Sequence, residues 1–104
     1  MVGRILVPGT MPTTQTEIGS LISRHPERHG GRPLISDTGV SVRAVALDSN
    51  RGLSPEEIVA ERPHLSLAQV FAALAYYYAN KAEIDADIEA EDRAYEEGAS
   101  SPPA

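Results

Sequence analysis

One phrase occurs twice between residues 53 and 70, and it limits what the chain can fold into more than any other feature. Leu53-Ser54-Pro55-Glu56-Glu57-Ile58 returns twelve residues later as Leu65-Ser66-Leu67-Ala68-Gln69-Val70. Each copy is a helix-start signal. The serine hydroxyl accepts from a first-turn N–H, and the Glu or Gln three residues on reaches back to the serine's own N–H. The leucine before each serine packs on the apolar residue at the fourth helical position, Leu53 on Ile58 and Leu65 on Val70, which fixes how the chain enters the helix. Pro55 falls at the first helical position, where its missing donor costs nothing. Pro63 disfavours helical geometry at Arg62 and cannot donate inside a helix. The phrases therefore predict a short helix over about 55–62, a turn at Pro63-His64-Leu65, and a second helix from Leu67. Short helix, tight turn and longer helix form the outline of a helix-turn-helix, although the usual turn glycine is absent and an ordinary helical corner has the same outline.

The second helix is the strongest periodic segment. Leu67, Val70, Phe71, Leu74 and Tyr78 recur at helical spacing and predict the core helix, with Ala72, Ala73, Ala75 and Ala79 allowing close approach. Three consecutive tyrosines cover about 200° of a helix, so they cannot all point inward. Tyr77 and Tyr78 continue the apolar stripe, which leaves Tyr76 on an outer face with Gln69. Upstream, Ile18, Leu21 and Ile22, then Leu34 and Ile35, then Val40 and Val42 resemble strand fragments separated by His25-Pro26 and Gly30-Gly31. A small hairpin is expected there, then a helix over about 42–49. The fold class is therefore mainly α: a small N-terminal β-hairpin, a three-helix helix-turn-helix unit, and a C-terminal acidic helix.

At 104 residues the chain holds one domain. Residues 1–16 read as a flexible arm, 17–80 as hairpin plus helices, 81–97 as an acidic partner-binding helix, and 98–104 as a disordered tail. That leaves about 65–80 residues for a core, a size at which a single core supplies about 3–5 kcal/mol, so a homodimer or an obligate partner is expected. No cysteine is present to staple the fold. The opening lacks a secretory apolar segment, and the longest apolar run is too short for a bilayer. A soluble cytoplasmic protein with no membrane partner is the expectation.

The net charge of −6 hides an asymmetry: six arginines face four carboxylates from Met1 to Leu53, whereas three bases face eleven acids from Ser54 onward. A basic half joined to an acidic half suggests two kinds of partner, and simple solvation of a helix is the plainer alternative. In the acidic half, Ile84, Ile88 and Tyr95 are spaced by four and seven, too few to fold the segment alone. It needs a surface to pack against: its own domain, a second copy, or another protein with a basic face.

Catalytic chemistry is not expected. His25 and His29 are four apart, but Pro26 and Gly30-Gly31 interrupt the helix that would align them, and no third ligand is placed. The Gly30-Gly31-Arg32-Pro33 run lacks nucleotide-loop spacing and reads as a tight structural turn. No nucleophile motif is present, and the carboxylates crowd a segment unsuited to acid and base work. Neither a metal nor a cofactor is expected.

The segments "GGRPLISDTGVSV" and "GLSPEEIVAERPHLSLAQVFAALAYYYANKAEID" resemble the bacterial family called domain of unknown function 433, from about Glu17 to Ile88. Paired glycines before a basic residue and proline correspond to Gly30, Gly31, Arg32 and Pro33. The family's Ser-x-Glu-Glu-Ile start corresponds to Ser54–Ile58, its proline turn to Pro63–Leu65, and its core helix to Ala73–Tyr76. Asp37, Gly39 and Ser41 stand where the family usually carries Gly, Arg and Pro. The resemblance implies a homeodomain-like helix-turn-helix and the antitoxin of a type II toxin–antitoxin pair of the VapB kind, with a PIN-like ribonuclease toxin as partner. On that reading Ser66, Gln69, Ala73 and Tyr76 would face operator DNA, Arg43 and Arg51 would hold phosphate, and the protein would repress its own operon. Ile84, Ile88, Glu91, Asp92 and Tyr95 would engage the toxin. The alternative is a dimeric interaction module that does not touch DNA, because residues 67–78 carry no Arg or Lys for phosphate.

Overall fold

The structure, a computed structural model, describes residues 15–27 and 29–100, with backbone alone for His29 and residues 97–100. The expected arm over 1–16 lies, apart from its last two residues, outside the described residues, as do residues 101–104 of the expected tail. The elements are β1 (Ile22–Ser23), β2 (Leu34–Ile35), α1 (Val42–Asn50), α2 (Pro55–Glu61), α3 (Leu67–Ala79) and α4 (Lys81–Ser100). The fold is mainly helical with a two-stranded antiparallel hairpin before the helices, as expected. Three details differ. Ile18–Leu21 forms a 3-10 turn, not a strand. Val42 opens α1, not a third strand; only Ser41, just before it, bridges to Leu34. The last helix runs through 98–100, where a tail was expected.

Local chemistry accounts for the boundaries. Ser41 caps α1 by accepting from the Ala44 N–H at 3.0 Å. In both copies of the repeated phrase the capping box closes with the same geometry. Ser54 and Ser66 accept from the N–H of Glu57 and Gln69 at 3.1 Å, and the Glu57 and Gln69 side chains accept from the serine N–H at 2.7 Å. Each such cap is worth about 1 kcal/mol against alanine. In the turn after β2, Thr38 N–H bonds the Ile35 carbonyl with φ +64° at Asp37, the left-handed position of a type II turn. Aspartate tolerates this left-handed conformation better than most non-glycine residues.

The core joins the hairpin to all four helices: Ile35, Val42, Val45, Ala46, Ile58, Leu65, Val70, Ala73, Tyr77 and Ile84. Helix α3 lies at its centre, touching α1, α2, α4, both strands and the 3-10 turn. Its buried positions are Val70, Ala73 and Tyr77, with Ala72 buried on one flank. The expected stripe is thus corrected. Leu67, Phe71 and Tyr78 lie 40%, 51% and 62% exposed, while Tyr77 is 1% exposed. The periodicity could not separate these faces because α3 is apolar nearly all round, and which side is covered depends on where the other elements pack.

Candidate functional site

Most of the residues expected to face DNA are engaged within the fold. Ser66 and Gln69 hold each other in the cap, and the Gln69 side-chain carbonyl is the atom that accepts from Ser66 N–H. Pairing with adenine through both its acceptor and its donor would require releasing that cap. Ala73 is fully buried, which corrects its expected place on an outward face. Tyr76 does share a side of α3 with Gln69, but that side is partly covered: Tyr76 is half-buried against the core, and its hydroxyl accepts from Arg24 Nε at 3.1 Å. Arg43 Nη1 contacts Glu91 at 2.5 Å and Asp87 at 3.4 Å. Arg51 donates to Asp48 at 2.9 Å and keeps an exposed side chain.

Asp48 was not foreseen. Its carboxylate is 4% exposed and accepts from Arg51 and, at 2.8 Å, from Arg62, tying the end of α1 to the end of α2. A buried carboxylate left without such partners costs about 3–5 kcal/mol, so the pair of arginines is structural. The one local hint is the three-residue spacing to Arg51; Arg62 meets it only through the fold.

The acidic helix packs on its own domain through its first half. Ile84 is 1% exposed and Ile88 half-buried, both against the common core. That corrects Ile84 as a partner anchor. Beside them Glu83, Asp87 and Glu91 form a row at four-residue spacing, which puts them along one side of the helix. Glu83 pairs with Arg24, Asp87 with Arg32 at 2.8 Å and with Arg43, and Glu91 with Arg43. The basic first half and the acidic second half are therefore partners within one chain. Hydrogen bonds from Arg24 to Glu83 and from Arg32 to Asp87 raise the pKa of both arginines above the ordinary value. Near the break at Asn80, Asp85 accepts from Lys81 and from the Tyr77 hydroxyl, both at 2.7 Å. The Lys81 ammonium first, then that hydroxyl, hold the Asp85 carboxyl below its usual range.

The Gly30-Gly31-Arg32-Pro33 turn does what its composition suggested. Both glycines have positive φ, +65° and +75°, conformations that glycine adopts without strain. The turn carries Arg32 to α4 and borders a polar cleft of about 280 Å³ closed by Glu83 and Asp87.

Among the described residues, two larger surfaces are exposed. From Glu89 to Glu96 every residue of α4 is exposed, Asp92 among them, and Tyr95 is 76% exposed. The outer side of α3 presents Leu67, Phe71 and Tyr78, and beside it an open groove of about 480 Å³ runs between α3 and the Ile18–Arg24 segment. Neither surface brings together groups suited to bond-breaking chemistry. No helix among the described residues is long and apolar enough to cross a membrane.

The chain matches the family described as Protein of unknown function (DUF433) over residues 22–77, more than half its length. It belongs to that family. Comparison with curated proteins and with solved structures gives no significant match.

Proposed function

We propose that this protein is a non-catalytic protein-binding module that serves as the antitoxin of a type II pair. The observation that carries the proposal is the outer half of α4. It leaves the domain at Glu91 and continues as an exposed acidic helix with Tyr95 on its surface. A helix of that kind suits a partner with a basic groove, and the family resemblance supplies the partner class, a PIN-like ribonuclease whose RNA-binding surface is basic. In this reading Asp92 and Tyr95 make the contact, with Glu91 at its edge, whereas Ile84 and Ile88 hold α4 to its own domain. Operator binding is the weaker part of the reading. The short helix, turn and longer helix favour it, but Ser66, Gln69, Tyr76 and Arg43 already have partners within the fold, and α3 offers no cation to phosphate.

The test is co-purification with the product of the neighbouring gene, full length and cut after Glu91, followed by a ribonuclease assay. A cut after Asn80 would remove Ile84 and confuse binding with folding. The expected outcome is a complex that depends on residues beyond Glu91 and suppresses RNA cleavage. A complex indifferent to that cut, or none at all, would refute the assignment of the outer helix. Titration of operator DNA with the assembled complex at several salt concentrations tests the repressor part, for which a sequence-specific shift is required.

A further inference from the structure

We infer that the outer face of α3 is a homodimer interface, occupied by the same face of a second copy. At about 200 Å² for each large side chain, the exposures of Leu67, Phe71, Tyr78 and Ile18 (40%, 51%, 62% and 60%) leave roughly 400 Å² of apolar side chain in water. Patches of about 300–600 Å² are the largest that monomers usually carry, and they are often functional. A standard interface buries about 800 Å² per partner, about 65% of it apolar in homodimers, which is roughly 500 Å². The exposed Ala68, Ala75 and Ala79 lie on the same side of α3 and bring the face to that size.

Charge selects the occupant. Helix α3 carries no charged residue from Leu67 to Ala79, whereas α2 exposes Glu56, Glu57 and Glu61, and α4 is acidic along its length. A chain of net charge −6 repels its own copies at those acidic surfaces. A basic or acidic partner would find no complement on α3, whereas a second uncharged α3 would. The order of side chains fits a two-fold axis. An antiparallel crossing centred at the level of Ala72 and Ala73 sets Leu67 beside the partner subunit's Tyr78, and Phe71 beside the partner subunit's Ala75. Large residues then meet smaller ones, and each contact occurs twice, as a self-complementary interface requires. This inference stands apart from the toxin, because the outer half of α4 takes no part in it.

The experiment is sedimentation of the isolated full-length chain across the micromolar range, for the wild type, Phe71→Glu, Tyr78→Glu and Leu67→Lys. The wild type is expected to be a dimer. Phe71→Glu and Tyr78→Glu should each raise its dissociation constant at least about 30-fold, the loss typical of a central interface residue, while helical circular dichroism and the melting transition are kept. Should Phe71→Glu fail to fold, Tyr78→Glu, at a more exposed position, decides. Mixing Leu67→Lys with Tyr78→Glu should restore a mixed dimer, because the antiparallel crossing brings the two new charges together. A wild type that stays monomeric to high micromolar concentration, or a dimer unaffected by both glutamate variants, would overturn the inference. A monomer whose α3 face becomes protected only in complex with the neighbouring gene product would overturn it too, and would give the face to that partner.

Discussion

The two halves of α4 are both acidic and lie in opposite circumstances. From Lys81 to Glu91 the helix lies on the domain, with Ile84 in the core and Glu83, Asp87 and Glu91 paired to arginines from the first half of the chain. From Asp92 to Glu96 it is also acidic and carries an aromatic residue, but each of these side chains is exposed, and Arg93 pairs with Glu89 of the same helix. At 1.5 Å per residue the helix spans about 30 Å, longer than the face it packs on needs. Helix propensity and charge are thus insufficient to assign a role. What separates the halves is whether an apolar side chain recurs every four residues with a cation opposite each acid.

That contrast is open to direct tests. Ile84→Ala should cost about 2–5 kcal/mol in chemical denaturation, because it empties a filled core position, whereas a cut after Glu91 should change stability by no more than about 0.5 kcal/mol. Equal effects would mean that the halves are not distinct. On the proposed function, Tyr95→Ala should leave the free chain's melting unchanged and weaken the toxin complex by about 30-fold, as truncating a central aromatic does; calorimetric titration of the two chains checks it. Asp87→Asn removes the carboxylate that pairs with two arginines and should cost about 0.5–1 kcal/mol, less at high salt. Glu89→Gln, which touches only Arg93 across a weak helical pair, should cost less than about 0.3 kcal/mol. The smallest effect is acid sensitivity at the inner half. Asp85 has a folded pKa below its ordinary value, so its contribution is present above that value of 3.8 and lost as pH falls through the lower folded one. Solvent screens it, so the loss should be slight, and Asp85→Asn should remove it from the acid limb of a stability–pH profile.

Much of the fold was legible in the residues. The starts of α2 and α3, the turn at Pro63, the helix beginning near Val42 and the Gly30-Gly31 turn all follow from chemistry within four residues of each position. The candidate sites were less so. Ser66 and Gln69 form the cap that their spacing implies, and that cap occupies the Gln69 side-chain carbonyl. Ala73 and Ile84 look available from their spacing and are core; Phe71 and Tyr78 look like core and are exposed.

The physical reason is the range of the interactions. A serine finds its capping N–H three residues away, and a glycine's φ is decided by its own missing Cβ, so the sequence by itself determines where helices begin and where the chain turns. Burial has no such local sign on a helix that is apolar on nearly every side. The hairpin, α1 and α2 cover two sides of α3 and leave Leu67, Phe71 and Tyr78 outside. The acids of α4 carry no mark of their partners either, since Arg24 and Glu83 are 59 residues apart. Only the tertiary structure decides that the two charged halves of this chain meet each other, and that its most apolar helix leaves one face exposed.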